Sequence, residues 1–198
     1  MIHLYSGDGK GKTSIAVGMS VRFAGAGGQV IFAQFMKGNE SSELNIFREI
    51  PQVKVLKVES QFGFYSKMSD EEKKKITELH NDILGEIIEC VNKNNENEEI
   101  NKKSERSTVA LGKTANDTDD CQRLLIVLDE ITYPCRWKLI DEKLFKRFLK
   151  ELPDTVELVM TGRNPLDYMV EASDYWSDVE MKKHPYEKGV SARLGIEY

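Results

Sequence analysis

Three short stretches carry residue types, at spacings, that suit chemistry on a phosphorylated substrate. The first is SGDGKGKTS, Ser6 to Ser14. Glycine lets backbone N–H groups turn inward without Cβ clashes, so Gly7, Gly9 and Gly11 allow a ring of donors around an anion. Gly11, Lys12 and Thr13 fit the end of the pattern G-x-x-x-x-G-K-[ST], in which the lysine reaches phosphates and the hydroxyl binds Mg²⁺. Ser6 stands where that pattern begins with glycine. Asp8, Lys10 and Ser14 complete the loop as candidate nucleotide contacts, Lys10 as a second cation. An ordinary glycine and lysine turn is the competing reading.

The second stretch is VLDEITY. An apolar strand ending in Asp129 and Glu130 is where a phosphate-loop protein keeps the acid that holds Mg²⁺, directly or through water, opposite the loop hydroxyl. Found together with GKGKT, it is more specific than either piece alone, although a surface Asp-Glu pair at a strand end is the alternative. The third is TGR, Thr161 to Arg163, which closes the following strand at the edge where ligands of open α/β sheets bind. Arg163 is a candidate contact to phosphate or substrate, with a plain turn as competitor.

These residues need elements to position them. MIHLYS before the loop alternates as a strand does, and KTSIAVGMSVRFAGAGG after it has helical apolar spacing and a glycine stop, the order that puts phosphate on a helix N-terminus. Gln29 to Phe35, Val53 to Val58, Leu124 to Glu130 and Thr155 to Gly162 read as further strands, the third apolar enough for burial on both faces. Their alternation with helical runs predicts an α/β protein, a parallel sheet between helical layers. A long helix is marked by a capping box, Ser69 with Glu72, and by the stripe Ile76, Leu79, Ile83, Leu84, Ile87, Ile88 and Val91. LIDEKLFKRFLKEL is a second amphipathic helix, closed by Pro153.

Composition narrows the classes. The 198 residues, 40% hydrophobic, suffice for one substantial core, which predicts a single domain. Net charge is −5 and the basic residues form no stripe, so neither nucleic acid nor an anionic membrane gains support as a partner. No apolar run approaches the ~20 residues that cross a bilayer, and no leader precedes the first strand, so the expected location is the cytoplasm. Cys90, Cys121 and Cys135 lack C-x-x-C spacing and read as reduced thiols. Asn92 to Asp120 is polar and dense in Asn, Glu and Lys, with little to bury against its ordering entropy. It is expected to be a mobile surface insertion, a lid being the functional alternative.

Spacing alone leads to Mg·ATP or another nucleotide in a three-layer P-loop fold, and fold does not choose a reaction. A small-molecule kinase, a nucleotide-operated switch and a RecA-like motor all stay open. YSGDGKGKTS, QFMKG, VLDEITY, MTGRNP and the tail KKHPYEKGVSARLGIEY, taken together, resemble the ATP:corrinoid adenosyltransferase family of the CobA/CobO/BtuR type. The likeness runs from Met1 to Tyr198 apart from the insertion, and that family's loop commonly lacks the first glycine. Where many members have Gly-Phe-Thr-Trp, this chain has Gly63-Phe64-Tyr65-Ser66.

The resemblance implies a RecA-like fold with a mostly parallel sheet. It implies transfer of the 5′-deoxyadenosyl group of ATP to the cobalt of cob(I)alamin or a related corrinoid, with triphosphate leaving. It also implies catalytic roles for Lys12, Thr13 and Glu130, Mg²⁺ held by Thr13, Asp129 and Glu130, a reductant protein as partner, and a homodimer. Phe64, Tyr65 and His184 become candidate corrinoid contacts, whereas His3 and His80 read as structural or exposed.

Overall fold

The computed structural model describes residues 1–37, 41–58, 63, 65–109 and 123–196. Strands β1 (Ile2–Ser6), β2 (Gln29–Gln34), β3 (Val53–Lys57), β4 (Leu124–Asp129), β5 (Val156–Thr161) and β6 (Tyr175–Asp178) form one sheet in the order β3-β2-β4-β5-β1-β6. Every pairing is parallel. All strands therefore end at one edge, and Ser6, Gln34, Asp129 and Thr161 are brought together there.

Alternation along the strands builds two cores. Ile31, Ala33, Ile126, Leu128, Leu158 and Met160 face one layer, packed with Leu84 and Ile87 of α3 (Asp70–Val109) and Phe145, Phe148 and Leu149 of α5 (Glu142–Lys150). Val30, Phe32, Leu125, Val127 and Val159 face the other, against Ala16 and Ala24 of α1 (Lys12–Gly25) and Leu44 and Phe47 of α2 (Glu43–Phe47). With helices on both faces, all six residues of β4 are buried, as a strand in the middle of a parallel sheet requires.

The capping box forms reciprocally: Ser69 N–H donates to Glu72 Oε2 at 2.7 Å, and Glu72 N–H donates to Ser69 Oγ at 3.2 Å. Asp141 caps α5, accepting from Leu144 N–H, so that helix starts inside the LIDEKLFKRFLKEL window. Three short helices and an edge strand carry no periodic signal over their length: α2, α4 (Thr132–Arg136), α6 (Asp167–Glu171) and β6.

The polar stretch from Asn92, expected to be a mobile surface insertion, continues α3 as helix as far as Val109. Residues 92–96 are not buried, but no Gly or Pro stands between Gly85 and Val109, and Glu, Lys and Arg are good helix formers. The remainder of the insertion, 110–120, lies outside the described residues.

Candidate active site at the carboxyl edge of the sheet

The loop between β1 and α1 turns through two glycines with positive φ, Gly7 at 113° and Gly11 at 119°. Gly9 serves a different need. Its N–H donates to Val179 O at 2.7 Å, and a Cβ there would lie 2.6 Å from that oxygen, so the loop is stapled to the chain just after β6. The Gly9 N–H is thus engaged by the fold itself. Ser6 is the last residue of β1, and its hydroxyl accepts from Trp176 Nε1 at 2.8 Å. Asp8 Oδ1 accepts from Met181 N–H at 3.1 Å, a second staple between the loop and the C-terminal segment.

Behind the loop, Lys12 opens α1 and folds back, Nζ donating to Gly9 O at 2.7 Å. Burial lowers the pKa of its ammonium below the ordinary lysine value, with Glu130 opposing the shift. Thr13, one residue on, donates from Oγ1 to Asp129 Oδ1 at 3.0 Å.

Asp129 is fully buried and is the hub of the edge. Its Oδ1 also accepts from Thr161 Oγ1 at 2.7 Å, and its Oδ2 from Lys37 Nζ at 2.8 Å and Gln34 Nε2 at 3.3 Å. These partners follow from register: Gln34 lies beside Asp129 across the β2–β4 pair, and Thr161 ends the other neighbouring strand. Glu130 leaves the strand with φ 60°, its N–H donating to Thr161 Oγ1 at 2.9 Å. Its Oε2 is buried without a hydrogen-bond partner among the described residues. Burial, then the charge of Asp129, raises the Glu130 carboxyl pKa above the usual range, with Lys37, Lys12 and Arg163 pulling it back.

These groups open onto one cavity of about 640 Å³. Asp8, Gly9, Lys10, Gly11, Lys12, Thr13 and Ser14 line it, as do Glu130, Arg163 and His184, so the predicted loop, acid, arginine and tail histidine converge. Gly7 and Asp129 are not among the residues that line it. Tyr65 stands apart, in a 3-10 turn at Tyr65–Lys67, stacked on Trp137 with centroids 4.5 Å apart and planes 6° off parallel. Trp137 in turn stacks on Tyr133 at 4.9 Å, and Tyr133 lines the cavity, so three rings lead from the cavity to Tyr65. Phe64 lies outside the described residues.

Sequence reasoning from spacing missed Lys37, Gln34, Glu43, Tyr133 and Trp137. QFMKG held the signal for two of them: it begins on the last residue of β2, whose end falls at the same sheet edge as the phosphate loop and the acid pair.

A glycine-rich strand-to-helix loop after β1, a buried acid at the end of β4 with β5 between the two strands, and an all-parallel sheet define a P-loop nucleotide-binding α/β protein. Similar folds include EssC (ATPases 2 and 3) from Geobacillus thermodenitrificans, with a TM-score of 0.54, 15% identity and coverage of 99% of this chain but 36% of that one. The cytoplasmic domain of the Thermomonospora curvata type VII secretion ATPase EccC aligns with a TM-score of 0.52 at 14% identity, over 96% of this chain and 21% of that one. The chain thus spans about a third or less of these ATPases, and the likeness concerns the fold.

The family model for ATP:corrinoid adenosyltransferase BtuR/CobO/CobP matches residues 1–198, and the chain belongs to that family of transferases. Corrinoid adenosyltransferases from a Sinorhizobium species and from Pseudomonas aeruginosa are 28% and 26% identical to it. The first alignment covers 100% of this chain and 80% of the relative, the second 98% and 82%. The Escherichia coli K12 corrinoid adenosyltransferase is 24% identical over 100% of this chain and 85% of its own length. No helix among the described residues is long and apolar enough to cross a membrane.

Proposed function

We propose that this protein transfers the 5′-deoxyadenosyl group of ATP to the cobalt of a reduced corrinoid, cob(I)alamin or a related one, and releases triphosphate. The observation that carries this reading is the convergence of Lys12, Thr13, Glu130, Arg163 and Lys37 with the Gly9 to Gly11 loop on one cavity at the start of α1. That is a place to hold a chain of phosphates. Gly7, Asp8, Lys10 and Ser14 complete the candidate ATP contacts.

The bond cut is that between the ribose C5′ and its phosphate oxygen. A cobalt(I) electron pair forms the new cobalt–carbon bond, and the carbon–oxygen pair departs with triphosphate. Cobalt(I) is a strong nucleophile with no proton to remove, so the protein need supply no general base. Its work is electrostatic: Lys12 and the loop donors meet charge developing on the leaving triphosphate, which is most effective when prearranged.

The residues fit Mg²⁺. The buried Glu130 Oε2 has no hydrogen-bond partner among the described residues, and Thr13 and Asp129 meet beside it at the sheet edge, so Thr13, Asp129 and Glu130 would hold the ion, Asp129 once Lys37 leaves its Oδ2. When bound, Mg²⁺ supplies positive charge to the phosphate oxygens. On the corrinoid side we assign His184, which lines the cavity, and Tyr65, with Phe64 from the sequence pattern. The family resemblance supports a homodimer in the cytoplasm served by a reductant protein.

The test is incubation with Mg·ATP and chemically reduced cobalamin, followed by visible spectroscopy. The spectrum of the adenosylated, light-sensitive product is expected. Consumption of ATP with no change at the corrinoid would overturn the reading.

A further inference from the structure

The Lys37 ammonium sits among three oxygens: Asp129 Oδ2 at 2.8 Å, Thr13 Oγ1 at 3.3 Å and Glu43 Oε1 at 3.8 Å. Thr13 is the hydroxyl of the loop motif and Asp129 the acid opposite it, the pair between which a P-loop protein handles its divalent ion. Two carboxylates and a hydroxyl also make the oxygen set that a hard divalent cation prefers. Among the described residues, Lys37 is the cation that pairs with the wholly buried Asp129 carboxylate. The other groups bonded to that carboxylate, Thr13, Thr161 and Gln34, are neutral. A buried charge without such a partner would be costly.

We infer that Lys37 is a resident cation that excludes bare divalent metal from the Thr13 and Asp129 position, and that it yields only when metal arrives on a nucleotide. This rests on the reading of the cavity as an ATP site. Two cations cannot share Thr13 Oγ1 and Asp129 Oδ2 at such distances, because their mutual repulsion in a poorly solvated site is large. Entry of metal therefore displaces the ammonium. Lys37 has a flexible four-carbon stem and lines the same cavity, so it can turn onto the incoming phosphates, where its charge is matched again. Bare Mg²⁺ offers no such acceptor. The protein thereby discriminates metal-nucleotide from metal by the fate of one lysine.

The experiment is titration of the full chain with Mn²⁺ alone, bound ion being counted by loss of the free Mn²⁺ EPR signal, and titration again with a non-hydrolysable ATP analogue present. Nucleotide-free wild type is expected to bind Mn²⁺ weakly. Lys37→Met is expected to bind it at least tenfold more tightly without nucleotide, and the double variant Lys37→Met, Thr13→Val to lose that gain. Lys37→Gln, which keeps a donor for Asp129 and removes the charge, should shift in the same direction and serves if Lys37→Met does not fold. The nucleotide analogue should enhance Mn²⁺ affinity more in wild type than in either Lys37 variant. Tight Mn²⁺ binding by nucleotide-free wild type, or unchanged or weaker binding by a folded Lys37 variant, would overturn the inference. Neither result depends on which product is formed, so this inference and the adenosyl-transfer reading fail separately.

Discussion

Thr13 Oγ1 donates to Asp129 Oδ1 at 3.0 Å, joining the first turn of α1 to the tip of β4. Asp129 also serves Thr161, Gln34 and Lys37 and has no exposed surface. Removing this carboxylate leaves four donors without their acceptor. Asp129→Ala is expected to destabilise the fold by about 2–4 kcal/mol, since loss of one member of a buried charged network costs more than the net worth of its bonds. Urea unfolding checks this, and a loss below about 1 kcal/mol would show that Asp129 is not the hub.

Lys12 is nearly as buried as Asp129, and among the described residues its ammonium has the Gly9 carbonyl as hydrogen-bond partner. On the proposed reading its charge is held for the phosphates. Lys12→Ala is expected to lower kcat for adenosyl transfer by on the order of 10²-fold or more, as when a preorganised charge contact to a transition state is lost. Single-turnover kinetics measure it, and near-normal kcat would move the phosphate site elsewhere.

Much of this site was legible because it depends on local order. GKGKT after a strand and before a helix, and an apolar strand ending in Asp129 and Glu130, carry their partners in their own spacing. The Lys37 contact does not, because Lys37 and Asp129 meet only when β2 and β4 pair in register, a long-range fact. Trp137 was invisible for the same reason. The α3 extension carries no apolar stripe to announce it; an uninterrupted run of good helix formers continues a helix already nucleated by packing. The edge strand β6 is exposed along its whole length and offered no apolar alternation to read.

The ring stack gives a third prediction. Cobalt(II) in a corrinoid is hard to reduce while a lower axial ligand donates to it, and axial ligation is a general control of metal potential. If the stack holds Tyr65 against the corrin, Trp137→Ala should slow the reaction begun from cobalt(II) at least fivefold more than the reaction begun from cobalt(I). Tm should change little, because Trp137 is only partly buried. Equal losses from both starting states would reduce the stack to packing.

His80 supplies a test of the fold that is independent of the active site. It is wholly buried on α3, its Nδ1–H donates to Leu139 O at 2.9 Å, and its Nε2 has no partner among the described residues. Burial pushes its pKa down to about 4, the Leu139 carbonyl opposing. Between that value and about 6.5 the unfolded chain binds the proton and the folded chain does not, so stability falls as pH drops through this window. The loss is expected to reach about 3 kcal/mol at pH 4 relative to His80→Leu, which has no such proton to take up. Denaturant unfolding of both proteins at pH 7 and pH 4 measures it, and parallel pH dependence would contradict it.

The central claim is that the loop holds phosphates that depart intact, and product analysis tests it most directly. With Mg·ATP and pre-reduced cob(I)alamin, the phosphorus-containing product is quantified by ³¹P NMR or ion-exchange chromatography against adenosylated corrinoid. Triphosphate is expected one-for-one with the cobalt–carbon product, and none without corrinoid. Stoichiometric ADP, formed by attack at the γ-phosphate, would contradict adenosyl transfer and make the cavity that of a kinase.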